Sequence, residues 1–237
     1  MLQRVKRPSL AFCLVGTAIL ASGAPAHADG AQQSPSAAGP EDPTQRGVSP
    51  ERRNGLALGA AGGVALAGSS GYPNNPKYFE NPDFYSSSPL LVGWSASVFA
   101  MGAFNDYVSF GPTFSIATFE SPKWKSTGFA VGFRAEVFPL VHLVPTLADT
   151  AIYGQAGFGV TELRAKGPYP TADGAQSFLG IGLQHEWRLG RLLGGHASAG
   201  PYVEYNAIYT PAVERHWASG GLRVVFYSGD VKLDHAR

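Results

Sequence analysis

The chain has 237 residues, 15% of them charged and 12% aromatic, with 30 glycines and a formal net charge of +1. Charges this sparse do not suit an ordinary soluble surface, and so many glycines argue against a helical bundle. A near-neutral chain also lacks the basic stripe that displaces counterions from nucleic acid, so no nucleic-acid partner is expected.

At the N-terminus, Arg4, Lys6 and Arg7 precede an apolar run from Leu10 to Ser22, and Ala26-His27-Ala28 offers a small-x-small site before Asp29. This pattern predicts a cleaved export signal over residues 1–28. The run is short of the roughly 20 apolar residues that a spanning helix needs. Cys13, the single cysteine, falls inside the leader, so the exported chain is expected to carry no disulfide, thiol redox or thiolate metal chemistry. Residues 29–53 are rich in Pro, Ser, Ala, Gln and Gly and read as a disordered periplasmic linker. Residues 228–237 read as a short polar tail.

Between residues 54 and 227 the hydrophobic period is two, in eight segments broken by turn-rich stretches. In the first, Leu56, Leu58, Ala60, Val64 and Leu66 oppose Gly59, Ala61, Gly63 and Ala65. Its glycines would each cost a helix about 1 kcal/mol, so a strand is predicted. The alternation then recurs around Val92-Trp94-Val98, Phe110-Phe114, Phe129-Val131-Phe133, Ile152-Phe158-Val160, Leu179-Ile181-Leu183, Val203-Tyr205 and Leu222-Val224-Phe226. Pro112 lies inside the third segment, where it is tolerable only at a weak point of the ladder. Long polar connections are expected at Ser69–Pro89, Glu120–Thr127, Ala165–Ala175 and Thr210–His216, and tight turns near Asn105-Asp106 and Gly190–Gly194. The connection Pro139–Thr150 is longer than this alternation requires.

Period alone does not say which face is outside, because a soluble lipocalin-like binder would show the same alternation with its apolar face inward. The other face decides it. That face is mostly Gly, Ala, Ser and Thr, without lysine, which suits a narrow lumen better than water. Tyr107, Phe119, Tyr153, Trp187, Tyr205, Tyr209, Trp217 and Tyr227 lie near segment ends, where rings favour a membrane interface. A sheet edge left open in lipid would cost several kcal/mol per polar group, so the sheet is expected to close.

The last segment sets Ser219, Gly221, Val224 and Phe226 at spacings that resemble the closing-strand signal of bacterial outer-membrane β-barrels, although the chain continues to Arg237. Taken together, residues 54–227 resemble the small eight-stranded OmpA/OmpX-type transmembrane domain. The resemblance implies an all-β, closed, antiparallel eight-stranded transmembrane barrel in the cell outer membrane, with both termini periplasmic and a lumen filled by side chains. It further implies outer-membrane lipid and lipopolysaccharide as surroundings and the barrel-assembly machinery as a partner during insertion.

Three groups of residues are candidates for function. Arg134, Glu136, Gln155, Glu186, Arg188, Glu204 and Arg223 form a balanced polar set on the lumen face, read as a structural plug rather than an ion pathway. Symmetric hairpins would bring Arg134 to Gln155, Gln155 to Glu186, and Glu204 to Arg223. Loop Ser69–Pro89 presents Tyr72, Tyr78, Phe79, Phe84 and Tyr85, which either pack over the barrel mouth or contact a partner or polysaccharide. Finally, His196-x-Ser198 with Glu204 weakly resembles the base, nucleophile and orienting acid of outer-membrane lipid A deacylases. Parity points all three into the lumen, so a non-enzymatic structural or surface-interaction role is expected, without metal or cofactor.

Overall fold

The computed structural model describes Arg53 and residues 55–228. The leader assigned to residues 1–28, the linker of residues 29–53 apart from Arg53, and the tail beyond Ser228 lie outside the described residues.

The described chain is built from strands β1 (Gly55–Gly71), β2 (Ser86–Ser87), β3 (Leu91–Ala103), β4 (Val108–Glu120), β5 (Trp124–Val137), β6 (Thr150–Ala165), β7 (Ala172–His185), β8 (Trp187–Leu192), β9 (Gly195–Tyr209) and β10 (Val213–Tyr227). All pairings are antiparallel, and β10 returns to β1 from Ala57↔Tyr227 to Gly71↔Val213, which closes the sheet. β2 only extends the end of β1. β7 and β8 both pair with β9, in one register interrupted where His185 and Glu186 face Pro201 and Gly200. Proline has no N–H to donate to a ladder, so these two strands form one stave and the barrel has eight. Pro112 acts in the same way: the β3–β4 ladder skips Ala100 and Met101 opposite Pro112 and Gly111.

The apolar face of every segment is outside. Val64, Phe158 and Leu222 are 75%, 73% and 68% exposed, whereas Ala57, Ala61, Ala65 and Ala67 on the other face of β1 are buried. The barrel is therefore inside out relative to a soluble one, as the lysine-free small-residue face predicts. Closure also needs close backbone approach at the β1–β10 seam. A Cβ on Gly63 would collide with the backbone of Gly220 and Gly221, so a larger residue there would force the seam apart.

Three connections at one end depart from the expected long loops. Only residues 72–90 form a long one; the others are 121–123, 166–171 and 210–212. The strands run further because Trp124, Ser126, Val213 and Arg215, which fall within the predicted loops, turn inward and fill the lumen. At the opposite, terminal end, Leu193 and Gly194 make a two-residue turn with φ of 49° and 81°. Positive φ at both positions matches the right-handed twist of a hairpin, and glycine adopts it without strain.

The long connection at the terminal end also has a physical role. Phe138, Val141, Ala148 and Ala151 make a buried apolar cluster there. Arg53 lies over the Phe138 ring at 3.5 Å, and its guanidinium reaches Asp149 Oδ1 at 2.5 Å. Its backbone N–H donates to Asp106 Oδ1 at 2.8 Å. Arg53 thus latches the entering chain to two turns and caps the terminal mouth. Replacing it with Ala removes the stacking and the ion pair together. Amide exchange, read by mass spectrometry in detergent, is then expected to accelerate across residues 138–149 while the β1 and β10 ladders stay protected.

Candidate functional site

The lumen is occupied by a polar network in its terminal half. Arg134 donates from Nε to Glu136 Oε1 at 2.7 Å and from a terminal nitrogen to Gln184 Oε1 at 2.6 Å. Arg223 reaches Glu186 Oε1 at 2.7 Å and Glu136 Oε2 at 3.0 Å. Gln184 Nε2 bridges to Glu136 at 3.1 Å, and the Tyr227 hydroxyl donates to Glu186 Oε2 at 2.9 Å. Arg134 is additionally stacked on Tyr153 at 3.5 Å, and Arg223 lies 4.5 Å from the Phe99 centroid. Two guanidinium groups and two carboxylates, all buried, therefore compensate each other across β5, β7, β10 and the β7–β8 break. Charges in such a site are tolerable only because each has an opposite partner, and the Arg223 Nε is left without a hydrogen bond.

Arg134 faces Gln155 as symmetric folding predicts. The other two expected pairs do not form: Gln155 faces Gly180, and Glu204 faces Ser219 rather than Arg223. The shift arises because the turns after β6 and β9 are tighter and earlier than the sequence suggests, which moves each register by several residues. Gln155 instead donates to Asn206 Oδ1 at 2.7 Å, and Glu204 accepts from Tyr153 at 3.1 Å and Ser219 at 2.9 Å. Arg188 lies opposite Ser198 near the terminal end, just before the bulge where β8 loses register against β9, and is exposed.

Sequence reasoning also missed Arg215. It is fully buried and crosses the loop-end half of the lumen, donating to Thr161 Oγ1 at 3.2 Å and the Ala117 carbonyl at 2.9 Å. The rings of Phe119 and Trp217 flank it at 4.7 and 5.0 Å. Its guanidinium rests where a Cβ on Gly128 would be. Phe119, Tyr153, Trp217 and Tyr227, expected at the membrane interface, are buried inside instead. Their parity with inward neighbours was the available signal. Tyr107, Trp187, Tyr205 and Tyr209 remain on the exterior.

The deacylase-like group does not assemble. His196 stacks on Tyr227 at 4.8 Å, and Ser198 is buried in the lumen. Glu204 lies six residues further along β9, roughly 20 Å at strand rise, and is engaged by Tyr153 and Ser219. Base, nucleophile and acid of this group are therefore not brought together. Among the described residues, no group of three or more His, Cys, Asp or Glu could hold a metal ion.

Loop 72–90 carries a tandem pattern, Asn75-Pro76-Lys77-Tyr78 and Asn81-Pro82-Asp83-Phe84. In each copy the Asn side chain accepts from the backbone N–H two residues on, at 3.1 Å, and starts a short 3-10 turn. The two turns place Tyr78 and Phe84 in a stack at 4.1 Å. Tyr72 packs against Phe79 and Tyr85, and Phe79 reaches the buried cluster that contains Phe119 and Trp217. The rings therefore close the loop-end mouth, with Tyr85 remaining 46% exposed.

The barrel has the architecture of the small eight-stranded OmpA/OmpX-type transmembrane domains, an assignment that rests on the closed register and the outward apolar face. No protein-family model matches the chain, and no curated protein matches it. Among solved structures, it is similar to Neisserial surface protein A, with 18% identity over 73% of this chain and 99% of that one and a TM-score of 0.43. Ail, the attachment invasion locus protein of Yersinia pestis, crystallised with the heparin analogue sucrose octasulfate, shares 14% identity over 73% of this chain and 99% of its own, with a TM-score of 0.41. The N-terminal β-barrel domain of Pseudomonas aeruginosa OprF shares 11% over 74% and 98%, with a TM-score of 0.38.

Replacing Arg223 with Met leaves Glu136 and Glu186 short of a partner and is expected to destabilise the barrel by roughly 3–5 kcal/mol. The urea midpoint of the compact, unboiled gel species measures this. Adding Glu136→Gln and Glu186→Gln to the same chain is expected to recover part of the loss. Gly128→Val is expected to lower the midpoint too, by displacing the Arg215 guanidinium and crowding the Val160 carbonyl.

Proposed function

We propose that the chain is an integral outer-membrane barrel with a non-enzymatic structural or surface-interaction role carried by its loop end. The observation behind this reading is the exterior. Large apolar side chains on all eight staves are exposed in a continuous belt, far beyond the few hundred Å2 that a soluble monomer leaves uncovered. In hydrocarbon that belt is the required surface, and the closed ladder pairs the wall apart from the short breaks opposite Pro112 and Pro201. Tyr107 and Trp187 toward the terminal end, with Tyr205 and Tyr209 toward the loop end, supply the amphipathic rings of two interfaces.

The orientation follows from the leader and linker read in the sequence: the terminal end faces the periplasm and the loop end the cell exterior. Lipid and lipopolysaccharide then surround the belt, and the barrel-assembly machinery inserts it. The buried network and the Arg53 cap support a filled lumen rather than a channel. A lipid A-modifying activity finds no support in the separated His196, Ser198 and Glu204. A lipocalin-like binder would turn the apolar face inward.

The test is fractionation of expressing cells followed by a denaturing gel of detergent-extracted protein, boiled and unboiled. Recovery with outer membranes and a mobility change only on boiling are expected. Recovery in the soluble periplasm without a heat shift would overturn the reading. Deletion of residues 74–83 removes no ladder residue of a barrel stave, so the heat shift is expected to persist in that variant.

A further inference from the structure

Parity places Val213, Arg215 and Trp217 on the inward face of β10, beside Ala67 and Ser69 of β1 across the seam. Arg134 and Arg223 each meet a carboxylate, whereas Arg215, also fully buried, forms no ion pair among the described residues. A guanidinium keeps its charge at any ordinary pH, so its burial has to be offset. The rings of Phe119 and Trp217 attract it but bring no negative charge. Nor do the acids in the surroundings reach it. Glu204 lies four positions toward the terminal end from Ile208, the ladder partner of Arg215, and is held by Tyr153 and Ser219. Glu120 and Glu162 face outward on the neighbouring wall and pair with Lys166 and Arg164. Asp173 and Glu214 are exposed on that same outward side, and Glu80 and Asp83 are exposed in loop 72–90.

Hydrogen-bond donors are left over at the same place. The two terminal nitrogens of Arg215 are used, on Thr161 and the Ala117 carbonyl, but its Nε has no partner. Neither the Trp217 Nε1 nor the Ser69 Oγ has one. All three side chains are more than nine-tenths buried, where an unmade hydrogen bond carries its full desolvation cost. They are also neighbours. Ser69 stands directly opposite Arg215 in the ladder, and Trp217 is the next inward residue of β10; side chains so placed on paired strands lie within reach of each other. β1 brings only Ala67 and Ser69 against them, so small residues leave room beside the arginine stem. Phe79 of loop 72–90 packs on the cluster that contains Trp217 and roofs the place.

From these features we infer that Ser69, Arg215 and Trp217 bind a chloride ion in the loop-end half of the lumen. The guanidinium and indole N–H groups can only donate, and the serine hydroxyl can turn to do so, which suits an anion and not a cation. A water molecule would satisfy the donors but leave the guanidinium charge uncompensated. A single fixed cation in a fully enclosed place selects a small monovalent ion; a phosphate group would bring more charge and more oxygens than these donors meet. The ion touches β1 and β10 together, so it links the two strands whose pairing closes the barrel. The inference needs only the closed barrel and is independent of the surface role proposed above.

The test uses the whole chain folded in detergent. The urea midpoint of the compact, unboiled species is measured along a chloride series at constant ionic strength, with gluconate making up the balance. A ligand bound by the folded state alone raises the midpoint with the logarithm of its concentration, so chloride is expected to raise it and bromide to do the same. Trp217→Phe keeps an aromatic ring and removes the indole N–H; it is expected to move the chloride series about tenfold upward in concentration, the effect of losing one hydrogen bond to an ion. Ser69→Ala is expected to act in the same way. Arg215→Met is expected to abolish the chloride dependence, and if that variant does not fold the other two decide. Crystals grown in bromide are expected to show an anomalous peak between Arg215 Nε and Trp217 Nε1. Midpoints that do not distinguish chloride from gluconate overturn the inference even if a peak is present, since the peak then means binding at crystal concentration only. A chloride dependence unchanged in every variant, or a peak elsewhere on the chain, overturns it too, as an adventitious ion only.

Discussion

Closure of the sheet is the constraint on which the remainder of the structure depends. In hydrocarbon a strand edge has no water to satisfy its amide groups, so β10 must find β1 across the whole height of the wall. That requirement explains the glycines at the seam, where Gly63 and Gly221 let two backbones approach more closely than side chains would allow. It also explains why the two prolines lie where they do. Pro112 and Pro201 each interrupt a ladder on one side while remaining paired on the other, so neither opens the cylinder.

Closing eight staves creates an interior too narrow to stay empty, and the chain fills it in two ways. The terminal half holds Arg134, Glu136, Glu186 and Arg223 in reciprocal pairing. The loop-end half is apolar and aromatic around Arg215, with Phe119, Phe178 and Trp217 packed together. Ion pairs in such a place contribute less to net stability than their number suggests, because each charge was taken out of water first. Their larger effect is on register. A slip of one residue in a strand would send that strand's lumen charges to the outer face, so the network penalises wrong pairings more than it rewards the right one.

Much of the wall was legible from period alone, since alternation requires only that each residue be classed as apolar or not. The side facing lipid was legible too, because lysine is missing from the small-residue face. Register was harder. The Glu204–Arg223 pairing failed because the chain between Tyr209 and Val213 turns sooner than its composition suggests, and the same misplacement hid Arg215 within an assumed loop. Phe119 and Trp217 were assigned by proximity to strand ends, whereas the direction of their side chains follows from parity. The Arg53 cap could not be read at all, because it joins residue 53 to Asp106 and Asp149 across distances that only the closed barrel makes short.

The two faces of each strand are held to different standards of replacement. An outward position such as Val64 or Leu222 meets fluid acyl chains, which accept any apolar side chain of any shape. An inward position such as Gly182 or Gly159 meets a fixed side chain, the Tyr153 ring or Ile208, and can change only if that neighbour changes with it. Half of the wall can therefore exchange residues freely, while the other half can move only in compensated sets. A barrel specified in this way can drift until little of its literal sequence is shared with others of the same shape, without passing through an unfolded intermediate.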